Sequence, residues 1–415
     1  MRLYIVLSVV AVAGAVAIAI WADQNTMQMR PDRNAPPAHE CLRLNDAEFA
    51  GDWDARARTR KIWVEVCRRA VASDGNNLRL KYVLARALSA DGQRAEAIPL
   101  WRELGERNDA GAWFEIYDTY KSYYRSDVGK PQLVKRAEAE QALRKAAELG
   151  HAYSILMLAV LLDRGSTVKR DPAEAIQWAE RALANPAKEM QPIDMQVLLA
   201  RLLVKSAIAA DKARGIELLE KLAQAGRGDA KAYLAAEIRA KDPVRARELL
   251  ESGMRGYAGA VIPPLADMLI KGEGGPADPK RAVSLLSGGY ANGVPGVQGA
   301  LGQLYIEGRL LPPDLKKGVD LLSIWASWDY DARLELMRVL AANPELTIGY
   351  PGGFLYDATE AAELDEPGAA AALIELKLSQ NAQFGDKAGG CALAERFAKS
   401  GDGTAARRLK DCGAN

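Results

Sequence analysis

Apolar residues in the middle of the chain follow the spacing of helices that bury one face. The segment from Leu265 to Leu286 reads LADMLIKGEGGPADPKRAVSLL and holds two such stretches around a glycine-rich loop. Leucines and small residues recur at intervals of three and four, which predicts two amphipathic helices joined by a short connection. The sequence has no long alternating runs of β-branched residues, the pattern that predicts strands. The chain is therefore predicted to be all-α.

The same pattern recurs along the sequence. Copies are evident at 158–179, 265–286 and 301–322, the last two shifted by 36 residues. In each copy, a glycine that can end a helix with positive φ stands six residues before an aspartate that can cap the next helix. Each copy is predicted to be an αα-hairpin. A lone hairpin could not bury its apolar stripe, so the hairpins are expected to stack into an α-solenoid.

The repeat also predicts which side chains pack. Small residues are expected where the two helices of a hairpin approach closely, and leucines are expected in the buried stripe. The small residues are Ala175, Ala282 and Gly302, and the leucines are Leu285, Leu286, Leu321 and Leu322. The loop from Gly272 to Asp278 could be read as a phosphate cradle, but its counterpart between Gly308 and Asp314 reads RLLPP. It is therefore interpreted as a helix stop and a helix cap.

Weaker copies extend the array in both directions, and the register degrades after Tyr330. They fall at 77–105, 137–150, 211–219 and 242–250. Terminal repeats of solenoids are often atypical because their outer face meets water. The predicted division of the chain is a signal-anchor or signal-peptide helix at 1–22, a flexible tether at 23–40, stapled tetratricopeptide-like helices at 41–105, the main array at 106–330 and divergent capping repeats at 331–415.

The glycine, the six-residue step and the aspartate-x-x-x-alanine pattern resemble the Sel-one-like repeat family, a relative of the tetratricopeptide repeat. The match is clearest over 151–323, and the opening around Cys41 and Cys67 is similar to that of bacterial envelope-type members. The resemblance implies a right-handed α-solenoid that binds partners in a concave groove. Periplasmic members include regulators of exopolysaccharide production and the alginate-export scaffold, which is a lipoprotein. This chain has no lipobox.

The amino-terminal residues form an uncharged apolar run, LYIVLSVVAVAGAVAIAIWA, at 3–22. About 20 helical residues are long enough to cross the hydrocarbon core of a membrane, and a cleavable signal usually has a shorter apolar stretch. An inner-membrane anchor is therefore favoured, although Ala17-Ile18-Ala19 would also suit a signal peptidase. Residues 23–40 are polar and proline-containing, which is typical of a tether. The body of the protein is expected in the periplasm.

The four cysteines fall in two terminal pairs. Cys41 with Cys67 and Cys391 with Cys412 would each close a loop of about 20 to 30 residues and pin one end of the array. Other pairings, and four reduced buried cysteines, stay open at the level of sequence. The apolar leader favours disulfides and an oxidising compartment.

Charge and motifs exclude several classes of function. The 55 basic and 54 acidic residues give a net charge of +1, which leaves no broad cationic face for nucleic acid. His39 and His151 stand far from any cluster with metal-ligand spacing, and nucleotide-binding and hydrolase motifs are missing from the sequence. Adjacent carboxylates, Glu360 with Glu363 and Asp365 with Glu366, are interpreted as solvated helix faces. We expect no enzyme activity, no cofactor and no metal.

Two aromatic clusters are candidates for a partner-binding groove. The first lies in WFEIYDTYKSYY, where helical spacing places four rings along one face, and the second lies in WASWDY. The candidates are Trp113, Tyr117, Tyr120, Tyr124, Trp325, Trp328 and Tyr330. Such rings either pack between helices or form an exposed groove for a peptide or for sugar rings.

Together these observations predict a non-enzymatic protein-binding scaffold in the bacterial cell envelope. The alternative is a periplasmic component of exopolysaccharide assembly or export, which would bind glycan or its secretion machinery.

Overall fold

The structure, a computed structural model, describes residues 36–47, 53–126, 132–184, 192–327 and 329–413. Every regular element in these residues is a helix, which confirms the all-α prediction. The helices are α1 (Pro37–Ala47), α2 (Trp53–Ser73), α3 (Leu78–Ala90), α4 (Arg94–Glu106), α5 (Ala110–Ser126), α6 (Arg136–Glu148), α7 (Ala152–Arg164), α8 (Pro172–Ala184), α9 (Pro192–Val204), α10 (Ala209–Gln224), α11 (Gly228–Ile238), α12 (Pro243–Lys271), α13 (Pro279–Ala291), α14 (Val297–Glu307), α15 (Leu315–Ala326), α16 (Tyr330–Ala342), α17 (Pro351–Glu363), α18 (Ala369–Leu378), α19 (Lys387–Lys399), α20 (Gly403–Arg408) and a closing 3-10 helix (Leu409–Cys412).

The chain divides into two compact units, and the boundary falls inside α7. The first unit comprises Met1–Tyr123 and Gly129–Ser154, and the second comprises Tyr124–Val128 and Ile155–Asn415. The five-part division expected from the sequence stays a prediction. The amino-terminal apolar run and the tether up to residue 35 lie outside the described residues. Among the described helices, none has the length and apolar character needed to span a membrane.

In the first unit, successive helices pack on one another around buried aromatic side chains. Trp63, Trp101 and Tyr120 are among its largest fully buried residues. A disulfide joins Cys41 of α1 to Cys67 of α2, the pairing that the sequence favoured. The indole N–H of Trp63 donates to the carbonyl of Cys41 at 3.3 Å, so the disulfide and the core reinforce the same helix pair.

In the second unit, the predicted stop and cap of each hairpin are present. Gly272 and Gly308 adopt positive φ of 70° and 66° after α12 and α14. Asp278 and Asp314 accept the backbone N–H groups of Arg281 and Lys317, each at 2.9 Å, and so cap α13 and α15. Each cap satisfies a helix donor that would otherwise have no partner. The helical hairpins pack in the manner of a solenoid.

The residues expected to pack do so. Ala175, Ala282, Leu286, Leu321 and Leu322 are buried, and Leu285 packs partly buried against the same core. Gly302 is needed for close approach, because a Cβ there would lie 2.8 Å from the carbonyl oxygen of Gly318 on α15. The neighbouring helices could not keep this distance with a side chain between them.

The extra glycines after Gly272 also have a packing role. A Cβ on Gly274 would lie 2.2 Å from the carbonyl oxygen of Pro243 at the start of α12, and Gly274 has a φ of 70°. The Arg247 side chain donates to the carbonyl of Pro276 at 3.1 Å and holds the loop against the helix. The glycines therefore let the loop lie on α12, in agreement with its interpretation as a structural turn.

After α16, side-chain hydrogen bonds hold the connections between helices in place. Asn381 is buried, and its amide donates to the carbonyls of Leu340 and Leu346, each at 3.0 Å. Gln383 pairs with both backbone groups of Ile348. A second disulfide joins Cys391 of α19 to Cys412 of the 3-10 helix, again as the sequence favoured.

Candidate functional site

The second unit contains a groove of about 960 Å³ that is formed mainly by α12, α14 and α16. It lies on successive hairpins of the array. Its volume is at the upper end of the range for binding pockets of small molecules and peptide side chains. The lining includes Gly259, Ala260, Pro263, Pro264, Asp267, Ile270, Lys271, Gly299, Ala300, Gln303, Glu307, Arg309, Leu310, Trp325, Asp329, Asp331, Glu335 and Arg338.

Small residues and prolines form part of the groove wall. Ala260 and Ala300 line the groove with small side chains. Pro263 and Pro264 also line it and lie inside α12. A proline has no N–H, so the carbonyls of Gly259 and Ala260, four residues earlier, lack the donor that a regular helix would supply. These two residues belong to the groove lining. The prolines therefore interrupt the regular hydrogen bonding of α12 where this helix lines the groove.

Trp325 provides the aromatic surface of the groove. Its ring lies against α14, since a Cβ on Gly299 would be 2.6 Å from Trp325 Cδ1 and one on Gly296 would be 3.5 Å from Trp325 Cη2. The side chain is half-buried and lines the cavity. A ring packed against these glycines has its position set before any partner arrives, which lowers the entropic cost of binding.

Charged side chains surround the apolar floor, and most of them are paired. Lys271 Nζ lies 2.9 Å from Asp267, and Arg309 lies 2.9 Å from Glu307. Burial alone would raise the pKa of Asp267, but hydrogen bonds from Lys271 and Arg239 lower it below its usual value. Asp267 is therefore ionised at neutral pH. It is suited to ion pairing rather than to proton transfer, which needs a pKa near the working pH.

The helix that closes the groove on its far side begins with carboxylates. Asp329 caps α16 by accepting the N–H of Ala332 at 2.8 Å, and Asp331 lies in its first turn. Acidic groups at a helix amino terminus are stabilised by the helix dipole. Together with Asp267, Glu307 and Glu335, they outnumber the three basic residues of the lining, five to three. This rim is therefore mildly acidic.

The second predicted aromatic cluster contributes one groove residue. Trp325 lines the groove, as described above. Tyr330 is half-buried, and its hydroxyl donates to the carbonyl of Pro367, so it ties α16 to the loop before α18. Burial and the nearby carboxylate of Glu366 raise the pKa of Tyr330 to about 12. Trp328 lies outside the described residues.

Three members of the first predicted aromatic cluster, Trp113, Tyr117 and Tyr120, lie in the first unit, and they mostly pack between helices. Tyr117 and Tyr120 are only 2% and 1% exposed, so the interpretation as interhelix packing holds for them and an open groove position does not. Trp113 lies against Gly105, and the Lys145 ammonium lies 4.3 Å from the centre of the Trp113 ring. Tyr124 belongs to α5, but its side chain lies outside the described part of the chain.

The sequence did not single out a separate aromatic surface in the first unit. Phe114 stacks on His151, with ring centres 4.9 Å apart, and meets Tyr153 edge-on at 5.4 Å. Tyr153 is 48% exposed. The three rings come from two different hairpins, so no helical spacing in the sequence brings them together.

His151 has a structural role. Its Nδ1 accepts the N–H of Ser154 at 3.3 Å and lies 2.8 Å from the Ser154 hydroxyl, so the side chain caps the start of α7. Burial lowers the pKa of His151, which keeps the ring neutral. His39 is exposed on α1. Within the described ranges, no group of three or more histidine, cysteine, aspartate or glutamate side chains is placed to hold a metal ion.

One interpretation from the sequence is wrong. Glu360 and Glu366 were expected on solvated helix faces, but they are only 5% and 7% exposed. Both carboxylates pack against the loop between α7 and α8, nearly two hundred residues away in the sequence. A contact at this separation has no local signal, so the periodicity of the helices could not predict it.

Four segments of the chain match the family model described as the Sel1 repeat. They are residues 152–185, 194–226, 265–293 and 297–327. These segments coincide with the hairpins of α7 to α10 and of α12 to α15, and the resemblance identified from the sequence is confirmed.

Three solved structures show how far the likeness extends. The protective antigen c5321 of uropathogenic Escherichia coli, which displays an SLR fold, is 18% identical with a TM-score of 0.41, over 90% of this chain and 79% of that one. A Sel1 repeat protein from Oxalobacter formigenes is 20% identical with a TM-score of 0.39, over 84% and 96%. Yeast Tom70 is 13% identical with a TM-score of 0.37, over 96% and 95%. None of the curated proteins compared matches the chain significantly.

Proposed function

Because this chain contains Sel1 repeats, we propose that it is a non-enzymatic scaffold that binds a protein partner in the groove of its second unit. The observation that carries the proposal is the groove itself, a cavity of about 960 Å³ formed mainly by alternate helices, α12, α14 and α16, of the array. Repeat proteins of this kind bind protein partners.

The groove is suited to a peptide segment. Apolar side chains of a partner can pack on Ile270, Leu310 and Trp325. A peptide recognised by a few anchors in a preformed concavity is a common mode of binding. The acidic rim at Asp329 and Asp331 favours a partner with a positive charge near its apolar anchors.

Substitution at an exposed groove position tests the proposal. Gln303 is exposed on α14 and lines the groove, so Gln303→Arg places a bulky charge in the binding surface without disturbing the core. Ser284 is exposed on α13 and does not line the groove, so Ser284→Arg is the matched control. Partners are captured from envelope extracts with each variant, and affinities are then measured with the purified partner.

The expected result is a partner that binds the wild type and Ser284→Arg equally and binds Gln303→Arg at least about tenfold more weakly. Equal binding by all three proteins would exclude the groove as the binding surface. The absence of any reproducible partner would contradict the scaffold function itself.

We further propose that the scaffold works in the cell envelope, with residues 3–22 holding it at the inner membrane. The proposal is supported by the apolar amino-terminal run and by the two disulfides, since disulfides persist in oxidising compartments. Fractionation of cells, followed by mass spectrometry of the mature amino terminus, tests it. Membrane recovery with an intact amino terminus supports an anchor. A soluble periplasmic form starting near residue 20 supports a cleaved signal, and a cytoplasmic form with four reduced thiols contradicts both.

The second candidate function is glycan binding in exopolysaccharide assembly or export. The observation that favours it is the surface formed by Phe114, His151 and Tyr153, because exposed aromatic rings stack on sugar faces. Tyr153→Ala removes the most exposed ring. Glycan-array binding that disappears in this variant would support the function, and an array on which the wild type binds nothing would count against it.

A further inference from the structure

Two segments of the second unit touch although nearly two hundred residues separate them. Ser166 Oγ, in the loop between α7 and α8, donates to Glu360 Oε2 at 3.0 Å, and Lys169 Nζ lies 2.8 Å from Asp365 Oδ2. In a repeat array, each hairpin normally contacts only its neighbours. The two segments lie about five hairpins apart along the array, so their contact joins distant parts of the second unit. We call residues 165–170 and 360–366 the clasp.

The clasp is built from buried, shape-matched groups as well as from a surface ion pair. Glu360 is buried and also accepts the hydroxyl of Tyr356 at 2.6 Å. Glu366 occupies the space left by Gly165, since a Cβ on that glycine would lie 1.8 Å from Glu366 Oε1. Lys169 and Asp365 are each about 70% exposed, so their ion pair adds little by itself. The specificity of the contact between the two segments therefore rests on Glu360 and Glu366.

Charges on the two sides are complementary. The loop reads GSTVKRD and brings Lys169 and Arg170 to Asp365 and Glu366. Burial raises the pKa of Glu366, whereas Arg170 and Arg333 act to lower it. The equivalent loops of two other repeats read GEGGPAD and GRLLPPD and have no basic pair at these positions. Of the three loops compared, the one with the basic pair is therefore the one that contacts a distant segment of the chain.

Backbone conformation at the clasp is unfavourable on both sides. Thr167 has a φ of 64° and Asp365 a φ of 58°, and among the described residues only one other non-glycine residue, Asn108, has positive φ. A β-branched residue rarely adopts this conformation, which costs free energy and persists where the surroundings hold it. Thr167 is fully buried, and no hydrogen-bond partner of its hydroxyl is present in the described structure. Opening the contact would relieve these costs.

The groove lies inside the loop of chain that the clasp closes. All groove residues fall between 259 and 338, and the two clasp segments lie before and after them in the sequence. To widen the groove, successive hairpins must rotate relative to one another, and such rotations add up along the array. They would separate the clasp segments, so a closed clasp limits how far the groove can open.

We propose that the contact between residues 165–170 and 360–366 is a releasable clasp that holds the second unit closed and limits opening of the groove. The effect on a partner rests on the proposed function, but the closure is a property of the chain alone. It can therefore be tested without any partner.

Zero-length crosslinking tests the closure in the native protein. A carbodiimide joins an amine to a carboxylate in direct contact, so it should link the peptide containing Lys169 to the peptide containing Asp365 in mass spectra. Lys169→Arg keeps the charge but cannot form the amide, and it should abolish this crosslink alone. In a mixture of isotopically light and heavy protein, linked peptides of uniform isotope content support the clasp. Light–heavy pairs only, or no link, would overturn it.

A glycine substitution tests release and its effect on the groove. Gly165→Ala places a methyl group on the Glu366 carboxylate, whereas Gly272→Ala makes the same change at an equivalent helix stop, where the nearest atoms belong to Ala277 of its own loop. Both variants place an alanine at positive φ and therefore carry a similar backbone cost. The difference between their exchange rates then reports the contact at the clasp. Hydrogen exchange is measured at 351–368, at 297–307 in the groove wall, and in both loops.

In Gly165→Ala, exchange at 351–368 should rise about tenfold relative to Gly272→Ala, and exchange at 297–307 should rise with it. Lys169→Glu, which repels Asp365 and leaves the backbone unstrained, should move the same peptides in the same direction. If 351–368 is unchanged in both clasp variants, the segments do not hold each other and the proposal fails. If it rises but 297–307 does not, the clasp does not control the groove. Neither outcome depends on whether a partner exists.

Discussion

The ring of Trp325 lies where a side chain on Gly299 would have to be, with Trp325 Cδ1 2.6 Å from the position of a Cβ on that glycine. Gly299→Ala should therefore push the ring out of its place in the groove. An alanine gains up to about 1 kcal/mol of helix propensity over glycine. We expect overpacking to exceed this gain and to lower the free energy of unfolding by about 1–2 kcal/mol.

Gly288→Ala is the control for that substitution, because a Cβ there meets nothing within 4 Å on α13. It should leave stability unchanged or raise it slightly. Thermal unfolding and the near-ultraviolet circular dichroism of the tryptophans measure the two effects. An unaltered tryptophan signal in Gly299→Ala would mean that Trp325 does not pack on the glycine.

The repeated aspartate should add about 1 kcal/mol to the free energy of unfolding at each hairpin. Asp278 accepts the N–H of Arg281 at 2.9 Å, so Asp278→Ala leaves the first turn of α13 with one donor fewer satisfied. The expected loss is about 1 kcal/mol by denaturant unfolding, with a smaller loss for Asp278→Asn. Ser284→Ala, in the exposed middle of the same helix, should cost nothing. Equal effects at the two positions would show that the cap does not contribute.

The hairpins were predictable because their determinants are local. The stop at Gly272, the cap at Asp278 and the buried Leu286 lie within one stretch of 15 residues, and the same stretch recurs with a fixed shift. Local determinants that agree with the fold give a strong signal in one sequence. Spacing within a helix also placed Tyr117 and Tyr120 on one face correctly. It could not tell whether that face meets water or another helix.

The groove and the clasp were not predictable in the same way. Trp325 lines the groove because Gly299 lies on a neighbouring helix, and Glu360 is buried because Ser166 reaches it from a loop 194 residues earlier. Such features depend on how many hairpins make one turn of the array and on the angle between them. Neither quantity is encoded in the spacing of residues within one repeat.

The stability of the first unit should depend on pH through Glu115. Burial raises the pKa of this carboxyl from 4.5 to about 7, with the charge of Asp118 adding to the shift and Arg86 and Arg94 opposing it. Between about pH 4.5 and 7, the folded state holds a proton that the unfolded state has lost. The contribution of Glu115 to the free energy of unfolding is therefore most favourable below pH 4.5. It falls by about 2–3 kcal/mol as the pH rises to 7.

Glu115→Gln should remove that slope and make the first unit more stable than the wild type at pH 8. Glu106→Gln, an exposed change on α4, is the control and should leave the slope intact. Urea unfolding followed by the exchange of first-unit amides gives the free energy at each pH. A wild-type profile that runs parallel to that of Glu115→Gln would show that the carboxyl is not protonated in the folded state at neutral pH.

The disulfide between Cys391 and Cys412 should stabilise the end of the second unit rather than its groove. It closes a loop of 21 residues between α19 and the 3-10 helix, which corresponds to about 3 kcal/mol if the unfolded chain is the state it constrains. Replacing both cysteines by serine should raise hydrogen exchange across α19 and α20 and leave exchange in α14 unchanged, because terminal units of an array open independently. Replacing Cys41 and Cys67 in the same way is the control and should act on α1 and α2 only. If exchange in α14 rises as much as in α19, the second unit unfolds as a single cooperative block, and the disulfide stabilises the groove as well as the end of the array.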